Sequence, residues 1–121
     1  MATETFTSGA LSLDLSEGDT ITIAWRGKSS ARSPGEFILP ILSQALDRGE
    51  SQGKAVEIDF RGLEYMNSST ITPVIRILKQ AKLGSTRVIV LYRRDLKWQA
   101  LSFTALEVFH TEDQRIEIRG V

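Results

Sequence analysis

Asn67-Ser68-Ser69-Thr70 puts an amide and three hydroxyls in a row, inside the stretch EYMNSSTITPVIRIL (64–78). An apolar strand pattern ends a few residues before it, and an apolar helical pattern starts a few residues after. In open α/β sheets the carboxyl edge of the strands is where ligands and chemistry gather. A helix N-terminus at that edge offers unpaired backbone N–H groups and a partial positive charge, a setting that favours an anion. A phosphate esterified to one of these hydroxyls would meet that field and bring close to two negative charges. Ser, Thr and Asn are also the ordinary helix caps, but one cap accounts for one polar residue, and here there are four. Cap and working hydroxyl both stand as readings at this point.

Other residues able to do chemistry are weaker candidates. Gly27-Lys28-Ser29 has the tail of a phosphate-binding P-loop, but that motif needs a glycine where Thr22 stands. A solvated loop is expected there, and no ATP site. His110, the only histidine, follows Phe109 at an expected helix end, where polar and cationic C-cap residues are common. With no Gly-x-Ser-x-Gly elbow and no cysteine, neither a serine triad nor a zinc site is built around it. Glu57 and Asp59 are paired carboxylates on one strand face; glycosidase-type work needs such a pair to flank a cleft, so a solvated face is expected. Trp98, Leu101, Ala105 and Val108 form a helical stripe read as core. Arg93, Arg94 and Lys97 cluster at the start of that helix, as a partner surface or simply a solvated helix start. No enzyme, cofactor or metal follows from these residues.

The elements that position the tetrad are legible from periodicity. ALSLDLS and TITIAW alternate with period two, and the SEGD between them (16–19) is a turn, so a β-hairpin opens the domain. SPGEFILPILSQALDRG switches to helical spacing, with Ile38, Ile41, Leu42 and Ala45 on one stripe. Ser33-Pro34-Gly35-Glu36 reads as a capping box with Pro34 at the first helical position. Pro40 loses a helical hydrogen bond, so either the helix kinks there or its regular part begins there. KAVEIDF is the next strand, followed after the tetrad by a helix to about Leu83, striped by Ile71, Val74, Ile75, Leu78 and Ala81. RVIVLY (87–92) is a strand, DLKWQALSFTALEVF (95–109) a helix and RIEIRG (115–120) a last strand.

The order β-β-α-β-α-β-α-β implies right-handed crossovers in a mostly parallel mixed sheet of α/β class. Strands buried on both faces usually read as continuous apolar runs. Here Glu57, Asp59, Arg115, Glu117 and Arg119 take alternate positions, which predicts helices mainly on one face and an open opposite face. The 121 residues suit a single domain, 1–121. Fifteen basic and fifteen acidic residues cancel, so the basic excess of a nucleic-acid binder is missing. MATETFTSGA lacks a signal-peptide pattern and no stretch reaches the roughly 20 apolar residues of a membrane span, so a soluble, cytoplasmic protein is expected.

VEIDFRGLEYMNSSTITPVIRILKQAKLGSTRVIVLY resembles the central stretch of the STAS domain, the fold of bacterial anti-sigma factor antagonists. Asp59, Leu63, Met66, Ser68, Ser69 and Gly84 fall in step with the family's pattern of strand, loop, Asp-Ser-Ser/Thr-Gly and helix, and LSFTALEVF is similar to its third helix. The resemblance implies a partner switch in which one hydroxyl is phosphorylated by a kinase and restored by a phosphatase. The unmodified form then binds an anti-sigma factor or another signalling enzyme. Carried over, the acceptor is Ser68, with Ser69 secondary. Asn67, Ser69, Thr70 and Arg32 are the implied partner- or phosphate-binding positions. Two residues depart from the pattern: Asn67 stands in place of the motif Asp, and Thr70 in place of Gly. The Asn and hydroxyl pair, and more loosely RGKSSARSPGEFILPIL, are similar to a branch of small regulatory phosphoproteins in bacterial switches for aggregation or biofilm formation. Two other expectations stand beside it: an anion- or nucleotide-binding module at the same helix start, or an accessory subunit docking through the open sheet face, where Glu57, Glu117 and Arg119 are expected.

Overall fold

A computed structural model describes residues 2–121. The chain runs β1 (Ala2–Ser8), β2 (Leu11–Glu17), β3 (Ile21–Ser29), α1 (Gly35–Gln52), β4 (Val56–Asp59), β5 (Leu63–Met66), α2 (Ser68–Leu83), β6 (Val88–Tyr92), α3 (Lys97–Thr104) and β7 (Ile116–Gly120), with a 3-10 turn over Ala105–Phe109 after α3. The seven strands form one sheet in the order β1-β2-β3-β4-β6-β7, with β5 beside the far half of β3. β1, β2 and β3 are an antiparallel meander; every other pairing is parallel. The α/β mixed sheet opened by a hairpin is thus observed, with two strands more than periodicity predicts. β1 has no apolar face: threonines alternate with Glu4 and Phe6. β5 buries only Leu63.

Alternation sorts the two faces as expected. Leu11, Leu13, Leu15, Ile21, Ile23, Trp25, Val56, Ile58, Ile116 and Ile118 point inward, and the residues between them are half-buried or exposed. α1 and α2 pack on each other and share this core. β6 is buried throughout because it lies centrally in the parallel half: on the open face Ile89 sits between Glu57 and Glu117, and Leu91 between Asp59 and Arg119. Among the described residues no helix is long and apolar enough to cross a membrane.

Three local expectations are corrected. α1 passes unbroken through Pro40, and Pro34 precedes the first helical residue without any side-chain cap, so no capping box forms. Gly27-Lys28-Ser29 is the end of β3 rather than a loop. The strand bulges between Gly27 and Lys28, Gly27 sits at φ +84°, and a Cβ there would strike the Ala10 carbonyl. The apolar stripe on α3 is also displaced. Gln99, Phe103 and Leu106 are buried, while Leu101 and Val108 are 70% and 77% exposed. The buried face keeps helical spacing but begins on the polar Gln99, whose amide serves the Phe60 and Leu63 carbonyls. Apolar residues alone therefore do not mark it; the α-helix passes into the 3-10 turn at Ala105.

Candidate functional site at the start of helix α2

β5 ends beside β3, with Met66 opposite Ser29, and the Asn67 N–H donates to the Ser29 carbonyl at 2.9 Å. That bond puts Asn67 at the carboxyl edge of the sheet. Its backbone is extended, and its side chain caps α2: Oδ1 accepts from the Thr70 N–H at 3.1 Å and from Thr70 Oγ1 at 2.8 Å. Nδ2 donates to the Ala31 carbonyl at 2.8 Å. Thr70 has one hydroxyl proton and uses it on Asn67, so Ser29 Oγ donates to Thr70 Oγ1 across 2.7 Å. Ser29 and Thr70 are both buried.

This network gives Asn67 and Thr70 their structural work. An aspartate at 67 would keep the cap but lose the donor that meets Ala31, setting a carboxylate against a carbonyl. The amide supplies acceptor and donor together, and so ties the segment leading into α1 to the start of α2. A glycine at 70 would leave the buried Ser29 hydroxyl without its acceptor. Thr70 is therefore an internal brace, with no surface to offer a partner.

Ser68 and Ser69 are the first two residues of α2, and both are exposed. Neither their hydroxyls nor their N–H groups have a hydrogen-bond partner among the described residues. Because Asn67 does the capping, the two serines have no structural duty.

Beside them lies a groove of about 800 Å³ between the starts of α1 and α2, lined by Arg32, Glu36, Ser43, Ser69, Thr72 and Arg76, with Leu39, Pro40 and Pro73 in its walls. Arg32 thus joins Ser69 at one surface, while Ser68 stands outside the lining. Neither Arg32 nor Arg76 makes an ion pair among the described residues. Periodicity could not find Arg76, since nothing in sequence brings the α1 segment against that turn of α2. Pro40 and Pro73 are each the sixth residue of their helix. Lacking an N–H, they leave the Glu36 and Ser69 carbonyls without a helical donor.

The remaining candidates serve the fold. Burial alone would raise the Asp59 carboxyl, but the Arg61 side chain and N–H hold it below its ordinary value; neither Asp59 nor Glu57 lines the groove. His110 Nε2 accepts from the Ile118 N–H at 2.9 Å. Among the described residues no three His, Cys, Asp or Glu side chains group to hold a metal. Two structural residues gave no sequence signal. Buried Gln99 donates to the Phe60 and Leu63 carbonyls and accepts from the Arg93 N–H. Glu50 accepts from Ser85 Oγ at 2.8 Å and from the N–H groups of Ser85 and Thr86 at 2.7 and 2.9 Å. Those bonds pull its carboxyl down to about 2, and its Oε1 fills the space a Cβ on Gly84 would need. Compared with family models and with curated proteins, the chain matches none.

Proposed function

We propose that the chain is a non-enzymatic, STAS-type partner switch whose state is set by phosphorylation of Ser68. The observation that carries the reading is the division of labour at the start of α2. Asn67 occupies the cap, which leaves the Ser68 hydroxyl exposed and unbonded at the first helical position. A partner kinase transfers the γ-phosphoryl of ATP to Ser68 Oγ: the new O–P bond forms, the bond to ADP breaks, and the hydroxyl proton leaves. A phosphatase returns the hydroxyl by hydrolysis. The added charge sits at a helix N-terminus, where the free N–H groups and the helix dipole stabilise it, with Ser69 as the secondary acceptor. The adjoining groove, with Arg32, Arg76 and apolar walls, suits the unmodified partner contact; close to two charges and their hydration beside it expel that partner. The target is an anti-sigma factor or another signalling enzyme.

Two measurements test this. Pull-downs from the native cell with wild type and Ser68→Asp should differ by one specific partner, lost in the charged variant; identical partner sets count against the switch. Mass spectrometry of protein isolated from that cell should place phosphate on Ser68. A matched kinase that modifies Ser68→Ala as well as wild type, at another residue, would refute the assignment.

A further inference from the structure

The two outer edges of the sheet are built differently. At β7 the edge is occupied: the Ile116 N–H donates to Thr111 Oγ1 at 3.0 Å, the Thr111 N–H donates to the Ile116 carbonyl at 3.2 Å, and the Ile118 N–H donates to His110 Nε2 at 2.9 Å. A passing segment thus closes that edge. At β1 nothing among the described residues does so.

The free groups on β1 can be named. Ser8 pairs with Leu11 across a two-residue turn, so Ser8–Leu11 is a hydrogen-bonded pair, as are Phe6–Leu13 and Glu4–Leu15. Lys28 N donates to the Ala10 carbonyl, which sets the complementary phase on β2, with Asp14 and Ser12 bonding toward β3. The outward N–H and C=O groups of β1 therefore belong to Thr3, Thr5 and Thr7. The hydroxyls of these threonines are engaged along the sheet, with Ser16, Asp14 and Ser12. β1 has no proline, no lysine and no bulge to protect it as an edge; its one charge is Glu4.

We infer that β1 pairs antiparallel with β1 of a second copy, on a two-fold axis through Thr5. Only this register uses every outward group. Thr5 faces Thr5 of the second copy and Thr3 faces its Thr7, each as a hydrogen-bonded pair. The single charge, Glu4, then faces Phe6 of the second copy rather than another carboxylate. A formal net charge of zero sets no long-range repulsion against self-association. The pairing is isologous and closes on itself. β1 runs parallel to β3, whose last residue Ser29 holds Asn67, so the two-fold places the two Ser68 sites at opposite ends of the joined sheet. Each site remains free to bind its own partner.

Sedimentation velocity of wild type should give a dimer, twice the 13.5 kDa chain mass. Thr5→Pro removes an outward N–H while leaving the bonds to β2, and Asp14 remains held by Arg26; this variant should sediment as a monomer with an unchanged circular dichroism spectrum. The chain has no cysteine, so Thr5→Cys tests the register. Two such residues lie about 5.5 Å apart at Cα in a hydrogen-bonded pair, within disulfide reach, and should cross-link on mild oxidation. Thr3→Cys, which faces position 7, should not. A wild type that stays monomeric up to its solubility limit, or that is monomeric while β1 captures a strand of another protein, overturns the proposal. So does a dimer that survives Thr5→Pro, or a Thr3→Cys that cross-links as readily as Thr5→Cys.

Discussion

Helices α1 and α2 start side by side at one groove, and each has a proline as its sixth residue, yet their beginnings are held in opposite ways. α2 has a side-chain cap that reaches in three directions, to the Thr70 N–H and hydroxyl and to the Ala31 carbonyl. α1 has no side-chain cap; backbone turns from Ser33 and Pro34 start it. Its useful side chain is at the other end, where Glu50 gathers the chain entering β6. A row of polar residues at a helix start is therefore not one feature. In α2 the first and last members of the tetrad, Asn67 and Thr70, are structural, and the two between them are idle in the fold.

The largest effect should come from breaking the buried half of that tetrad. Thr70→Val keeps the volume but leaves the Ser29 hydroxyl without its acceptor, and urea unfolding should show a loss of about 2 kcal/mol. Adding Ser29→Ala should recover part of it, since a pair of polar groups removed together leaves nothing unsatisfied. An additive double-mutant cycle would show that the two hydroxyls do not interact. Next, Asn67→Asp should cost about 1 kcal/mol, because the cap to Thr70 survives and the tie to Ala31 does not. Asn67→Ala, which loses both, should cost more. Stability unchanged in Asn67→Asp would mean that the bond to Ala31 explains nothing about the departure from the motif.

α1 should answer to pH instead. Glu50 has its carboxyl lowered from 4.5 to about 2, chiefly by the Ser85 hydroxyl and then by the Ser85 and Thr86 N–H groups. A depressed carboxylate stabilises the fold fully above its unfolded value and loses that contribution as pH falls through the folded one. Wild type should therefore lose stability between pH 4.5 and about 2 more steeply than Glu50→Gln. Parallel acid limbs in thermal melts of the two proteins would remove Glu50 from that role.

Period-two alternation located four of the seven strands because each carries one apolar face, and a short apolar run located β6. β1 was invisible by the same logic: its inward residues include Glu4, and its pairing rests on backbone bonds to β2. The helical stripe of α2 was legible, whereas that of α3 was misplaced, because its buried face of Gln99, Phe103 and Leu106 begins on a polar residue that apolar spacing passes over. At the site, sequence set Ser68 and Ser69 at a helix start, but four polar residues in a row do not say which one caps. Ser29 and Ala31 decide that, and they lie some forty positions upstream of the residues they fix. The groove is a pairing of α1 with α2 for the same reason, so Arg76 carries no local signal.

The smallest effects separate the idle serines from the rest. Ser33→Ala, at the uncapped start of α1, and Ser68→Ala, beyond the cap of α2, should each change stability by less than about 0.5 kcal/mol. Both remove exposed hydroxyls without a partner among the described residues. If Ser68 served the helix, its loss would resemble that of a cap, about 1 kcal/mol. A near-zero change paired with loss of phosphorylation in the native cell would mean that Ser68 is kept for modification rather than for folding. Ser33→Ala supplies the baseline for stability. Equal phosphorylation of wild type and Ser68→Ala, with stability intact in both, would leave Ser68 without a role in either the fold or the switch.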